Sequence, residues 1–79
     1  MNIKSDNSVC IIGLGFVGLT LAVVMANKGF KVYGVEKNKS ILNSLKKKQA
    51  HFYEPGLKEN LKKIIKKKNF LFFNKIPII

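Results

Sequence analysis

Val9-Cys10-Ile11-Ile12-Gly13-Leu14-Gly15-Phe16-Val17-Gly18-Leu19 is the stretch whose reading decides the fold. Val9 to Ile12 is a short, continuously apolar, β-branched run stopped by a glycine, which is how a strand buried in a parallel sheet reads. Leu19 to Lys28 supplies Leu, Ala, Val and Met for a buried helix, and Gly29 offers its C-terminal stop. Between strand and helix, three glycines fall at G-x-G-x-x-G spacing. Such a triplet is a weak signal by itself and gains meaning from following a strand and opening a helix. Gly13 permits the tight turn, Gly15 lets backbone approach a pyrophosphate, and Gly18 lets helix and strand close on each other. The backbone N–H groups along Gly13, Leu14, Gly15, Phe16, Val17 and Gly18, with the positive end of the helix dipole, would then face phosphates.

Working outward, Phe30 to Val35 reads as a second strand ending at Glu36. That carboxylate lies 18 residues past Gly18 (36 − 18), where an acid accepts hydrogen bonds from the adenosine ribose and repels a 2′-phosphate. The expected cofactor is therefore NAD rather than NADP, with Lys37 next door pulling the other way. Asn38 is placed to cap a helix from Lys39 to Lys48 with Ile41, Leu42 and Leu45 inward. Gln49 to Gly56 reads as a loop. Leu57, Leu61, Ile64 and Ile65 mark an amphipathic helix whose other face carries six lysines between Lys58 and Lys68. Phe70 to Phe73 reads as a third strand, Pro77 lies too near the end for more to form, and residues 1–7 read as a frayed lead-in.

Strand, helix, strand, helix, helix, strand argues for an α/β fold with right-handed parallel crossovers. The expectation is a partial Rossmann half, a doubly wound parallel sheet with strand order 3-2-1, in a single unit over residues 1–79. Beyond it, the first strand would lack a neighbour on its free side, so self-association through that exposed sheet edge is expected.

Composition narrows the classes. Seventy-nine residues, 47% hydrophobic, make one small domain and exclude separate cofactor and substrate domains in this chain. One Cys, one His and four acidic residues cannot close a metal shell, and a lone cysteine fits a reducing, cytoplasmic setting. The formal charge is +11, carried by 15 basic residues that are all lysine. Without arginine's bidentate fork, this charge reads as a solvated surface rather than a specific nucleic-acid site. The basic helix could lie on an anionic membrane, but its aliphatics pack more simply on a sheet. Val9 to Ala26 is 18 uncharged residues, enough to imitate a membrane span or a signal sequence. Glycines at nucleotide-loop spacing argue against both. Cys10 is expected to be a small buried hydrophobe, and His51 a loop residue making local contacts.

Ile11 to Leu19, the triplet Glu36-Lys37-Asn38, and Phe52-Tyr53-Glu54-Pro55-Gly56-Leu57 come in an order and spacing that resembles the opening segment of the UDP-glucose/GDP-mannose dehydrogenase family. The resemblance covers nearly the whole chain, and the Glu-Pro-Gly-Leu segment is its most particular part. UDP-glucose and UDP-N-acetylmannosamine dehydrogenases are the relatives it points to. Family members oxidise a sugar primary alcohol to a carboxylate in two NAD-dependent steps through a thiohemiacetal on a cysteine. The resemblance implies NAD at Gly13 to Gly18 and Glu36, and a UDP-sugar partner only in a full-length relative. It assigns no catalytic residue here, since Cys10 does not match the family's cysteine, and it leaves the Glu-Pro-Gly-Leu loop a structural part. Relatives commonly carry Asp where this chain has Glu36 and a basic residue where it has Ile41. The competing expectation is a stand-alone nucleotide-binding or basic interaction module without catalysis.

Overall fold

Why the chain folds as it does is visible first at its helix ends. In the computed structural model, which describes residues 7–76, the elements are β1 (Ser8–Ile12), α1 (Phe16–Asn27), β2 (Lys31–Val35), α2 (Lys39–Lys46), α3 (Leu57–Lys66) and β3 (Phe70–Phe73). Each helix stops in the same way, with a residue in the left-handed region: Gly29 at φ 102°, Lys48 at 60° and Lys68 at 62°. The next N–H then reaches back over the last turn, Phe30 to Met25 O, Gln49 to Ser44 O and Asn69 to Ile64 O. This double closure satisfies carbonyls that a helix end leaves open. It was foreseen at Gly29 but not at the lysines, where α2 was expected to run on to Lys48.

The strands are parallel and hydrogen-bonded in the order β1-β2-β3. Val9, Val32 and Phe70 lie in one row of the register, and Ile11, Gly34 and Phe72 in another. Those rows face the helices. Leu19, Ala22, Val23 and Ala26 of α1, Leu45 of α2, and Leu57, Leu61 and Ile64 of α3 join Val32 and Phe70 in one buried cluster. Burying each of the larger side chains contributes about 1.5–3 kcal/mol.

Here the fold expectation needs correction. The doubly wound half expected with order 3-2-1 is not what forms among the described residues: the strands follow in sequential order β1-β2-β3, with no reversal. All three helices feed one cluster on one face of the sheet, so the described winding is single. Helices on a second face require the chain to cross back past β1, and none of the described connections does so.

Cys10 is corrected for the same reason. It alternates away from Val9 and Ile11 onto the face that no described helix covers, and it is exposed. The lead-in expected over residues 1–7 lies outside the described residues except for Asn7, whose carbonyl accepts the Lys31 N–H at 2.8 Å. Pro77 lies outside them too. No helix among the described residues is long and apolar enough to cross a membrane.

Among the described residues β1 pairs with β2 alone, and Ile12 beside its open edge is 70% exposed. An unpaired apolar edge is a template for another strand, opposed here by the repulsion of +11 charges. We expect association of the 79-residue chain to rise with ionic strength in sedimentation velocity, and Ile12→Lys to suppress it. Ile11→Lys should instead unfold the chain, because Ile11 packs inward beside α1. Salt-independent monomers would show the edge to be harmless.

Candidate functional site

The glycine turn joins β1 to α1. Gly13 sits at φ 92°, and its N–H donates to Val35 O at 2.7 Å, tying the turn to the end of β2. A Cβ on Gly18 would lie 1.8 Å from the Gly13 carbonyl oxygen, so only glycine allows the first turn of α1 to rest on the loop. A Cβ on Gly15 would meet nothing within 4 Å. The three glycines thus differ in kind: one holds a backbone conformation, one a contact, and one leaves open space.

Gly15 is the N-cap of α1 and makes no side-chain cap bond, and the first turn carries no acid. Leu19 N–H is the first to close on the helix, donating to Gly15 O at 2.9 Å. The N–H groups of Phe16, Val17 and Gly18 are the orphan donors that every helix start presents. With no side chain capping them, they and the helix dipole can receive an anion. Phe16 and Val17 are 58% and 75% exposed.

Leu14 behaves differently from its neighbours. Its side chain is wholly buried, and its N–H donates to Glu36 Oε1 at 2.7 Å. The other carboxylate oxygen, Oε2, accepts the Asn38 N–H at 2.9 Å. Glu36 therefore joins the glycine turn to the start of α2. These bonds, Asn38 first and Leu14 second, hold its pKa below the ordinary value of 4.5. Each oxygen keeps a further lone pair for a hydroxyl donor.

Asn38 caps α2 as the sequence implied, its Oδ1 accepting Ser40 N–H at 2.8 Å and Ile41 N–H at 3.1 Å. Ile41 is partly buried against the core. The Glu54-Pro55-Gly56-Leu57 segment is a turn closed by Leu57 N–H to Glu54 O at 3.0 Å, with Gly56 at φ 82°. Proline second and glycine third is the type II pattern. The turn starts α3 and buries Leu57.

Two features escaped the sequence reading. Phe52 packs tilted against Phe16, ring centroids 4.9 Å apart, bringing the loop before α3 against the glycine turn, with His51 edge-on to Phe52 at 4.8 Å. Gly34 is the second: a Cβ there would strike Leu14 Cδ1 at 2.8 Å and Phe70 at 3.0 Å. A glycine breaking an apolar strand is the signal that could have found it. No cluster of three His, Cys, Asp or Glu residues among those described could hold a metal.

Comparison with known proteins agrees with this geometry. Residues 7–78 match the NAD binding domain of the UDP-glucose/GDP-mannose dehydrogenase family. A UDP-N-acetyl-D-mannosamine dehydrogenase of Campylobacter jejuni is 45% identical over 51 residues, covering 65% of this chain and 12% of the relative. One from Methanococcus maripaludis is 41% identical over 61 residues, 77% of this chain and 14% of the relative. Among solved structures, a UDP-glucose dehydrogenase from Pyrobaculum islandicum superposes with TM-score 0.80 at 37% identity, over 86% of this chain and 16% of that one. A UDP-N-acetyl-mannosamine dehydrogenase from Staphylococcus aureus gives 0.83 at 26%, over 87% and 17%. The chain thus spans under a fifth of the length of these relatives.

Two measurements check the site's construction. Gly18→Ala should lower stability by about 1–3 kcal/mol or more, as overpacking against backbone does, whereas Gly15→Ala should stay within about 1 kcal/mol of the parent in thermal melts. Glu36 is a carboxylate with a depressed folded-state pKa, so its contribution is present above the unfolded value near 4.5 and is lost as pH falls through the lower folded value. Glu36→Gln should remove that component of acid destabilisation. An unchanged acid limb would show that the carboxylate does not hold the turn.

Proposed function

The chain belongs to the UDP-glucose/GDP-mannose dehydrogenase family, and on that premise we propose that it is an N-terminal NAD-binding segment whose role is to hold the dinucleotide. The observation that carries this reading is the uncapped N-terminus of α1 above a glycine with open space on its Cα, beside a carboxylate at the end of β2. An added Cβ at Gly15 would fill that space, so the residues present fit the group.

In this reading the N–H groups of Phe16, Val17 and Gly18 receive the pyrophosphate, with Gly13, Leu14 and Gly15 shaping the turn beneath it. Glu36, already aligned by Leu14 and Asn38, offers its remaining lone pairs to the adenosine ribose. Its lowered pKa keeps it ionised at neutral pH, and an ionised carboxylate repels a 2′-phosphate. NAD, when bound, supplies the acceptor for a hydride. The finer proposal is service in oxidising the primary alcohol of a nucleotide sugar to a carboxylate. The relatives named UDP-N-acetyl-D-mannosamine dehydrogenase and UDP-glucose dehydrogenase support it. No described residue pairs a thiolate with a base, and Cys10 lies exposed on the uncovered sheet face, so the chain itself is assigned no catalytic residue.

Calorimetry should show weak binding of NAD and still weaker binding of NADP, with Glu36→Ala narrowing the gap. Equal or tighter binding of NADP by the parent chain would overturn the assignment. The 79-residue chain incubated with NAD and either UDP-glucose or UDP-N-acetylmannosamine should form no NADH by absorbance. NADH formation abolished by Cys10→Ser would overturn the claim that it carries no catalytic group.

A further inference from the structure

The loop between α2 and α3 meets the proposed dinucleotide site at two separate points. Phe52 packs against Phe16, whose N–H is one of the uncapped donors at the start of α1, with ring centroids 4.9 Å apart. Phe52 is itself partly buried against the core, so its place is set by packing as well as by the loop. Its neighbour His51 stands edge-on to that ring at 4.8 Å and is exposed. The second point is electrostatic. The Glu36 carboxyl is held below its ordinary value first by the Asn38 and Leu14 N–H groups, and a smaller share comes from the positive charge of His51. The imidazole thus lies within electrostatic reach of the carboxylate that faces the adenosine ribose in the dinucleotide reading.

The other charges around the imidazole come from several elements. β2 is followed by Glu36 and Lys37, α2 opens at Lys39, the loop carries Glu54, and α3 starts with Lys58 and Glu59 in its first turn. No charged side chain lies on α1. Carboxylates and ammonium groups ordinarily keep their charge between about pH 5 and 8, whereas an imidazole gains or loses its charge there. His51 is the chain's one histidine. A neutral imidazole leaves the repulsion between Glu36 and a 2′-phosphate unopposed. A protonated one sets a cation with two N–H donors beside the same carboxylate, and the repulsion is offset.

We propose that His51 is a specificity-determining residue of the dinucleotide site, positioned by Phe52, which when protonated weakens the discrimination against a 2′-phosphate. This role rests on the dinucleotide reading and gives cofactor choice a dependence on pH.

The test is calorimetric titration of the 79-residue chain with NAD and with NADP, at about pH 8 and about pH 6. The preference for NAD should narrow at the lower pH in both the parent and His51→Asn, because a 2′-phosphate itself takes up a proton near about pH 6. It should narrow about threefold further in the parent, and that excess belongs to the imidazole. His51→Lys, which fixes the charge, should carry the narrowed preference up to about pH 8. Phe52→Leu should keep NAD binding while reducing the excess, since it removes the ring that holds His51. The His51 ring protons, the chain's only imidazole signals in NMR, should shift more with NADP than with NAD at the lower pH. Equal narrowing in the parent and His51→Asn would overturn the proposal. His51→Lys binding NADP no more tightly than the parent at about pH 8 would overturn it too, and an undiminished excess in Phe52→Leu would overturn the positioning by Phe52. Failure of both dinucleotides to bind strikes the dinucleotide reading and this role together, whereas NAD binding without an imidazole contribution strikes this role alone.

Discussion

The carbonyl oxygen of Gly13 occupies the space that a side chain at position 18 would need, and most of the remaining structure follows from that contact. It brings the first turn of α1 onto the end of β1, which directs Leu19, Ala22, Val23 and Ala26 into the core. It also leaves the helix start exposed above the turn instead of capped by a neighbouring side chain. Packing and the uncapped helix start therefore share one cause. A chain that could not bring these two glycines together would lose its core and its glycine turn at once.

Glu36 adds a second tie at longer range. Its carboxylate spans from Leu14 to Asn38, so the turn after β1 and the turn after β2 are held as one unit. Backbone N–H donors are a firm anchor for a carboxylate because they carry no side-chain entropy to lose. The Glu36 side chain is long enough to reach the Leu14 N–H directly. Leu14 in turn rests on Gly34, where any side chain would displace it. Glu36 and the core are thus linked through a leucine that is itself fully buried.

The parts legible in the sequence were those fixed by local chemistry. Gly13 and Gly18 announced a turn and a close approach, Asn38 a cap, and Phe70 to Phe73 a strand. Each depends on a residue and its near neighbours. What could not be read depends on partners far along the chain. Cys10 looked buried because its neighbours are apolar, but exposure depends on which sheet face the helices choose, and all three chose the other. The doubly wound expectation failed for the same reason, since it concerned a face and a crossing rather than an element. The Phe16–Phe52 contact joins residues 36 apart (52 − 16), and no periodicity marks it. Lys48 and Lys68 were hidden differently: a lysine in the left-handed region carries no sign of it in composition.

Those three helix endings also bear on how the chain acquires its shape. At α1 and α3 the closure hands the backbone to the next strand within three residues, Lys28–Phe30 and Lys67–Asn69. Because the sheet is built in chain order, each new strand docks beside the one before it, and no described segment waits for a later one to fill a gap between them. Contacts that close nearby in sequence carry a small loop-entropy cost and are found early on folding routes. The topology therefore runs one way along the chain: each strand after β1 finds its partner already upstream of it.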